Sequence, residues 1–256
     1  MPADIHAHVP YSRLAERLEY LVANRINPEV FFSAETLDHL VWEELSAQAR
    51  LLHAAGLKTT IHAPFLDLNP GALDPLIREV TRRRFQQVFQ AAEQLRPSVI
   101  VFHPGYDDIR YGGSRLEWLK NSIDFWGGFI PRAQALGCII AIENIFEKEP
   151  STLRGLLEAV DQPCFRHCFD VGHWNMFTTV TLEEWFSELG PYIAESHIHD
   201  NSGQADEHLP PGEGQIDFSK LFSLLKQHAP AAVLTLEAHS IERLERARSA
   251  LEKHLL

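Results

Sequence analysis

The sequence is poor in cysteine and has no long apolar segment. Its three cysteines form no CxxC pair, which excludes a disulfide-stapled miniprotein and favours a reduced, cytoplasmic setting. No apolar run approaches the roughly 18 residues that are needed to span a bilayer. The first residues also lack a basic segment followed by an apolar one, so we expect neither a signal peptide nor a membrane span.

Positive charge is scarce as well. Lys and Arg number 23 against 35 Asp and Glu, and the resulting net charge of −12 argues against a broadly basic nucleic-acid-binding surface. A composition of 45% hydrophobic and 23% charged residues excludes a disordered or collagen-like chain. Because 256 residues can bury a core unaided, we expect any metal site to serve function rather than folding.

The chain has no linker, low-complexity tract or charge block that would separate two domains, so we expect one domain over residues 1–256. Eight short apolar runs alternate with amphipathic stretches, which predicts parallel strands joined by helices. No GxGxxG motif follows the first strand, and 256 residues give about 32 per strand–helix unit. These features predict an α/β fold, a single (β/α)₈ barrel, rather than an open dinucleotide-binding sheet.

The predicted strands are residues 4–9, 29–33, 59–63, 99–103, 139–144, 167–170, 194–199 and 233–237. The predicted helices are residues 12–23, 37–55, 76–95, 114–136, 152–160, 182–189, 218–228 and 241–253. Gly127, Gly128 and Pro131 are expected to break or kink the fourth of these helices.

In a barrel of this kind the active site lies at the C-terminal ends of the strands. Nine candidate metal ligands end a predicted strand or lie in the loop after it: His62, His103, Glu143, Asp170, His173, His199, Asp206, His208 and Glu237. The strand-end members follow one another at intervals of 41, 40, 27, 29 and 38 residues, each about one strand–helix unit. Scattered surface histidines would not keep that spacing.

A single histidine at a strand end is more often a hydrogen-bonded core residue than a ligand. Nine acidic and imidazole groups at one end of a barrel change this balance, because packed carboxylates repel one another unless cations or protons compensate. Imidazole and carboxylate ligands together suit Zn²⁺, Mn²⁺ or Fe²⁺. We expect His8 to support a ligand by a hydrogen bond, and His197, which lies deeper on the face of His199, to play a supporting role.

Taken in order, the motifs AHV, HAP, HPG, EN, FDVGH, HIHDN, DEHLPPGEG and LE resemble the xylose-isomerase-like TIM barrel superfamily, which includes endonuclease IV and many sugar isomerases and epimerases. The likeness runs nearly end to end. In the isomerases and epimerases, the resemblance implies one divalent metal held by the positions matching Glu143, Asp170, His199 and Glu237.

For endonuclease IV the resemblance implies three zinc ions held by all nine positions. The first would be bound by His62, His103 and Glu143. The second would be bound by Glu143, Asp170, His199 and Glu237. The third would be bound by His173, Asp206 and His208.

The favoured function is a metal-dependent isomerase or epimerase of a sugar or sugar phosphate. Glu143 and Glu237 would transfer the proton, and His173 would orient the substrate. The cofactor is expected to be one to three divalent ions, Zn²⁺ or Mn²⁺ first, with Mg²⁺, Fe²⁺ and Co²⁺ as alternatives. Zinc-dependent phosphodiester hydrolysis is the main alternative, and a barrel that binds a ligand or metal without turnover is a minor one.

Four residues are candidates for substrate binding: Phe65 and Trp174 as an apolar wall, and Arg110 and Arg115 as phosphate ligands. The loops after the second and third strands are acidic, which favours a small sugar-like substrate and disfavours a nucleic acid without ruling one out. The oligomeric state stays open, as does the question of whether residues 206–214 close as a lid.

Overall fold

The computed structural model describes residues 5–255, with side chains up to Lys253. Eight parallel strands are hydrogen-bonded in sequence order, and the first strand pairs with the last, so the sheet closes into a barrel. The predicted (β/α)₈ barrel is confirmed. Residue 4 of the predicted first strand and residues 1–4 and 256 of the predicted domain lie outside the described residues.

The strands are β1 Ile5–Pro10, β2 Asn27–Phe31, β3 Thr60–His62, β4 Val99–Phe102, β5 Ile139–Glu143, β6 Phe165–Asp170, β7 Ile193–Ile198 and β8 Val233–Leu236. The helices are α1 Tyr11–Ala23, α2 Ala34–Asp38, α3 Trp42–Ala54, α4 Pro75–Leu95, α5 Asp108–Tyr111, α6 Arg115–Gly127, α7 Ile130–Leu136, α8 Ser151–Val160, α9 Val171–Phe177, α10 Leu182–Leu189, α11 Phe218–His228 and α12 Ile241–Leu255. Short 3₁₀ turns occupy Gly112–Ser114 and Gly190–Tyr192.

Two long predicted helices are each divided in the structure. The stretch 37–55 is divided after Asp38: α2 begins earlier, after the N-cap Ser33, whose Oγ accepts the Thr36 N–H at 3.0 Å, and α3 begins at Trp42. The stretch 114–136 breaks between α6 and α7, at the glycines and proline that predict the break. In both cases a short loop separates two helices whose apolar residues follow a helical spacing in the sequence.

The short helix α9 was not predicted. It begins directly after β6, and Asp170 is its N-cap, since the carboxylate Oδ1 accepts the His173 backbone N–H at 2.7 Å. Seven residues are too few to display a helical apolar period. The cap explains the spacing of the DVGH motif, because a helix turn after Asp170 brings the His173 side chain back over the barrel mouth.

The barrel interior is polar on one side and apolar on the other. Side chains from β4 to β6 and the start of β8 form a small apolar cluster of Val99, Val101, Ala141, Cys168 and Val233. The other strands, together with the later part of β8, carry buried polar side chains: His6, Glu29, Thr60, Glu195 and Thr235. A polar layer therefore lies directly beneath the mouth.

Strand ends set the functional end of the barrel. Glu143 and Asp170 are the last residues of β5 and β6, and Glu237 follows β8 directly.

Within the described part of the chain, no helix combines the length and the apolar character that a bilayer crossing requires.

Candidate metal centre and active site

Three buried carboxylates converge at the mouth of the barrel: Glu143, Asp170 and Glu237. One imidazole nitrogen, His197 Nδ1, lies among them. It is 3.5 Å from Glu143 Oε1, 3.6 Å from Asp170 Oδ2 and 3.3 Å from Glu237 Oε1. This nitrogen is fully buried and has no hydrogen-bond partner in the described structure. We call these four residues the central cluster.

The histidine of the central cluster differs from the one that the sequence indicates. His199 Nε2 lies 3.1 Å from Asp170 Oδ2 and 3.7 Å from Glu237 Oε2, so it reaches two of the three carboxylates, whereas His197 reaches all three. Strand register explains the difference. Asp170 on β6 pairs with His197 on β7, so these side chains lie level, while His199 follows the end of the strand. Only the alternation of inward-facing positions along β7 could have indicated His197.

Two histidines flank the central cluster on the side of β3 and β4. His62 Nε2 and His103 Nε2 each lie 3.2 Å from the same oxygen, Glu143 Oε2. The Phe65 ring stacks on the His103 ring with centroids 4.2 Å apart and fixes its orientation. The first of the three predicted ligand groups is thus assembled, from His62, His103 and Glu143.

The third predicted group lies on the opposite side of the central cluster. Asp206 Oδ2 is 2.9 Å from His208 Nε2 and 3.6 Å from His173 Nε2. His173 Nδ1 is also 3.2 Å from Glu143 Oε1, and the His208 ring stacks on His199 at 4.2 Å. The structure therefore brings all nine predicted positions into one contiguous cluster.

The loop that carries Asp206 and His208 is anchored by Asp200, which the sequence did not mark as important. Asp200 Oδ2 accepts the backbone N–H groups of Gly212 at 2.9 Å and Gly214 at 2.8 Å. A Cβ on Gly214 would lie 2.3 Å from Asp200 Oδ1, so this close approach requires glycine. His208 has a positive φ of 48°. These contacts hold the loop in a defined turn over the site.

Burial and charge act against each other in this cluster. Burial favours the neutral form of Glu143, but the neighbouring histidines, His103 foremost, outweigh it and hold the pKa of that carboxyl well below its ordinary value. Burial also opposes protonation of His62, yet its hydrogen bond to Glu143 raises the His62 pKa to about 9. Burial likewise opposes protonation of His208, but its hydrogen bond to Asp206 raises the His208 pKa to about 9. The carboxylates are thus held ionised by histidines that carry protons, and a cation that binds here takes the place of those protons.

A divalent cation fits these residues. Buried imidazole nitrogens without a hydrogen-bond partner cost free energy unless a ligand satisfies them, and three lie here, on His197, His199 and His208 (Nδ1 in each case). The nitrogen of His197 faces three carboxylates, and this combination of ligands suits Zn²⁺ or Mn²⁺. The residues that could hold a central ion are Glu143, Asp170, His197 and Glu237.

A cleft of about 1330 Å³ opens above the cluster. Phe65 and Arg110 line it, as predicted for substrate-binding residues, although Arg110 also pairs with Asp107 at 3.1 Å. Trp174 and Arg115 do not line it. Trp174 is on α9 and packs against the apolar core, and Arg115 donates to Ser151 Oγ at 2.7 Å, because its position at the start of α6 directs it toward α8.

The profile of the xylose isomerase-like TIM barrel family matches residues 28–255, and the chain belongs to this family. Among solved structures, a D-tagatose 3-epimerase-like protein matches with a TM-score of 0.84 and 24% identity over 98% of this chain and 97% of that one. A Thermus thermophilus protein soaked with ZnCl₂ matches with a TM-score of 0.82 and 26% identity, again over 98% and 97%.

Three sequence relatives span most of the chain. An uncharacterised protein of Methanocaldococcus jannaschii is 28% identical over 206 residues, which are 78% of this chain and 70% of the relative. The L-ribulose-5-phosphate 3-epimerase UlaE of Salmonella typhi is 25% identical over 207 residues, 75% and 70% of the two chains. A probable endonuclease 4 of Mycobacterium leprae is 24% identical over 192 residues, 71% and 74%.

Proposed function

We propose that this protein is a divalent-metal-dependent isomerase or epimerase that acts on a sugar or sugar phosphate. The observation that carries the proposal is the central cluster, in which Glu143 and Glu237 both face His197 Nδ1, at 3.5 and 3.3 Å, beneath an open cleft. Two carboxylates that face one point can act on the same substrate carbon from different directions. This arrangement suits proton transfer.

Glu143, Asp170, His197 and Glu237 would hold the metal, with His197 in the place that the sequence assigns to His199. When bound, a divalent ion polarises a substrate carbonyl and makes the adjacent C–H more acidic. All four residues project from the ends of strands, so the barrel fixes their relative positions before the substrate arrives.

Glu143 and Glu237 are suited to proton transfer because both are held in the ionised form. Burial opposes ionisation of Glu237, but the charges of His197 and His208 outweigh it and lower its pKa. One carboxylate would remove the proton from carbon to give an enediolate. Return of a proton to the other face gives an epimer, and return to the neighbouring carbon gives the ketose–aldose isomer.

The substrate class is supported by the charge of the cleft and by one relative. The described residues that line the cleft give it no excess of positive charge, which disfavours a duplex with its row of phosphates. The charged side chains that line it are Arg13, Arg17, Arg110, Asp67, Asp107, Glu143, Asp206 and Glu237. Arg110 could hold a single phosphate of a small molecule. The L-ribulose-5-phosphate 3-epimerase acts, by its name, on a sugar phosphate, which fits a sugar-like substrate here.

Metal-dependent phosphodiester hydrolysis is the second candidate, and a specific observation favours it. His62 and His103 on one side and His173, Asp206 and His208 on the other accompany the central cluster, which gives three adjacent ligand groups. A single-metal isomerase does not need all of them. The relative described as a probable endonuclease 4 supports the same alternative.

The experiment that separates these functions is incubation of the Mn²⁺- or Zn²⁺-loaded protein with a panel of ketoses and ketose phosphates in D₂O. We expect deuterium to enter at a carbon next to the carbonyl, with Glu237→Gln as the inactive control. Cleavage of an abasic-site duplex at low salt, together with two or three tightly bound zinc ions per chain, would instead establish the hydrolase. If neither deuterium exchange nor duplex cleavage is observed, both proposed reactions are overturned and a binding protein is favoured.

A further inference from the structure

One ionised carboxylate lies directly beneath the central cluster. Glu29 is on β2, inside the barrel, and its side chain is fully buried. Its Oε1 is 3.1 Å from His197 Nε2, and its Oε2 is 2.9 Å from His8 Nδ1. Both oxygens therefore accept hydrogen bonds from imidazole rings that come from different strands, β7 and β1.

The hydrogen bond to Glu29 determines how His197 can serve as a ligand. A ring nitrogen that donates a proton cannot bind a metal, and a carboxylate accepts hydrogen bonds but donates none. When a metal is bound, His197 therefore keeps its proton on Nε2, toward Glu29, and Nδ1, which faces the three carboxylates, is the nitrogen that binds the ion. Glu29 also orients the ring, because its other oxygen is held by His8.

We propose that Glu29 is a positioning residue that fixes the tautomer and the orientation of His197 for binding of a divalent metal. This inference rests on the proposed function, since it requires a metal in the central cluster. Hydrogen bonds to the far nitrogen of a ligating histidine commonly control its basicity and direction. Here the partner comes from a strand three positions away around the barrel and 168 positions away in the sequence.

A second buried carboxyl nearby provides a matched control. Glu195 lies on β7, and it accepts hydrogen bonds from Thr235 Oγ1 and, at 3.4 Å, from Thr60 Oγ1. Its hydrogen-bond donors are thus hydroxyl groups, whereas those of Glu29 are imidazole rings. An amide oxygen at position 195 can still accept from both hydroxyls, whereas an amide at position 29 can no longer accept from both imidazole rings.

The test is the affinity of Glu29→Gln and Glu195→Gln for Zn²⁺, measured by competition with a chromogenic chelator. Glutamine at position 29 offers one acceptor and one donor group. If the donor faces His197 Nε2, the ring proton moves to Nδ1 and that nitrogen is lost as a ligand. We expect Zn²⁺ to bind roughly 10–100-fold more weakly to Glu29→Gln, and Glu195→Gln to bind as the unmodified protein does. Circular dichroism of the metal-free variants verifies folding.

The outcomes are distinguishable. Failure of the unmodified protein to bind Zn²⁺ overturns the proposed function and this inference with it. Equal affinity in Glu29→Gln, or an equal loss in Glu195→Gln, overturns only the role of Glu29. Should Glu29→Gln not fold, ¹⁵N-histidine NMR of the Zn²⁺-loaded unmodified protein decides the matter. We expect a protonated Nε2 and a metal-bound Nδ1 for His197, and the reverse pattern contradicts the proposal.

Discussion

The barrel interior contains two acidic layers that differ in how their polar atoms are satisfied. In the lower layer, Glu29 accepts hydrogen bonds on both oxygens, and Glu195 accepts them from threonine hydroxyls on Oε1, while its Oε2 has no hydrogen-bond partner in the described structure. In the upper layer, at the mouth, His197 Nδ1 lies among three carboxylates without a hydrogen-bond partner in the described structure. Both layers are buried, and both contain Glu and His.

An imidazole nitrogen that has no hydrogen-bond partner and faces three carboxylates, rather than acidity, thus distinguishes the binding layer from the structural one. A buried carboxylate that already has two donors gains little from a cation. A buried imidazole nitrogen without a donor or acceptor gains much, because its desolvation is otherwise uncompensated. The comparison predicts that substitutions in the upper layer affect metal binding and turnover, and that those in the lower layer act on stability or through His197.

The largest effect is expected for Glu143→Gln. Removal of this charge takes away a central ligand and a proton-transfer group, so turnover in the D₂O exchange assay should fall by at least the ~10²–10⁴-fold that general base catalysis supplies. The fold should persist, as judged by a cooperative thermal transition. An active Glu143→Gln protein would contradict both proposed reactions.

The next largest effect is expected on metal affinity when the pH is changed. His62 has a pKa of about 9 in the folded chain against an ordinary value of 6.5, so a metal bound by His62, His103 and Glu143 replaces that proton and binds more tightly as pH rises from 6.5 to 9. Each displaced proton changes the affinity by about tenfold per pH unit. Calorimetry in a pH series should show this slope, and a flat profile would show that protonated histidines do not compete with the metal.

The metal-free protein should respond to pH in the opposite direction. A histidine with a raised pKa stabilises the fold fully below its unfolded pKa, and that contribution is lost as pH rises through the folded pKa of about 9. Thermal unfolding of chelator-treated protein should therefore show declining stability between pH 6.5 and 9. Rising stability over that range would mean that the histidines are neutral in the fold.

A smaller effect separates His197 from His199. Substitution His197→Asn should weaken Zn²⁺ binding at the central cluster by more than the ~10–100-fold typical of a supporting residue, because it removes a ligand. His199→Asn should weaken it less, since His199 Nε2 reaches Asp170 and Glu237 only. The reverse order in a chelator competition would restore the assignment that the sequence suggests.

The smallest effect is expected in the lower layer. Thr235→Val removes a hydroxyl that donates to Glu195, and it should cost about 0.5–1.5 kcal/mol of unfolding free energy. Zn²⁺ affinity should stay unchanged, because the Thr235 hydroxyl is directed to Glu195 in the lower layer. A loss of metal affinity equal to that of His197→Asn would erase the distinction between the layers.

Much of the fold was predictable because most barrel strands are short, largely apolar runs, and six of them end in a polar residue or are followed directly by one. Glu143 and Asp170 end β5 and β6, as expected, and all eight predicted strands are present within residues 5–255. Helix α9 escaped prediction because its seven residues are shorter than two helical periods. Local pattern therefore defined the strands and their ligand-bearing ends.

The finer site geometry was not predictable, because it depends on contacts between distant strands. The register that sets Asp170 beside His197 is a property of β6–β7 pairing, which no local pattern encodes. Glu29 contacts His197 across the barrel, and Asp200 fixes its loop through backbone groups 12 and 14 residues away. Such partners become visible only after the barrel closes.

The most direct test of the metal centre is anomalous X-ray diffraction from crystals loaded with Zn²⁺ or Mn²⁺. We predict an anomalous peak about 2.0–2.3 Å from ligand atoms of Glu143, Asp170, Glu237 and His197 Nδ1. A barrel mouth without a peak among these residues, or a peak bound by His199 in place of His197, would contradict the account.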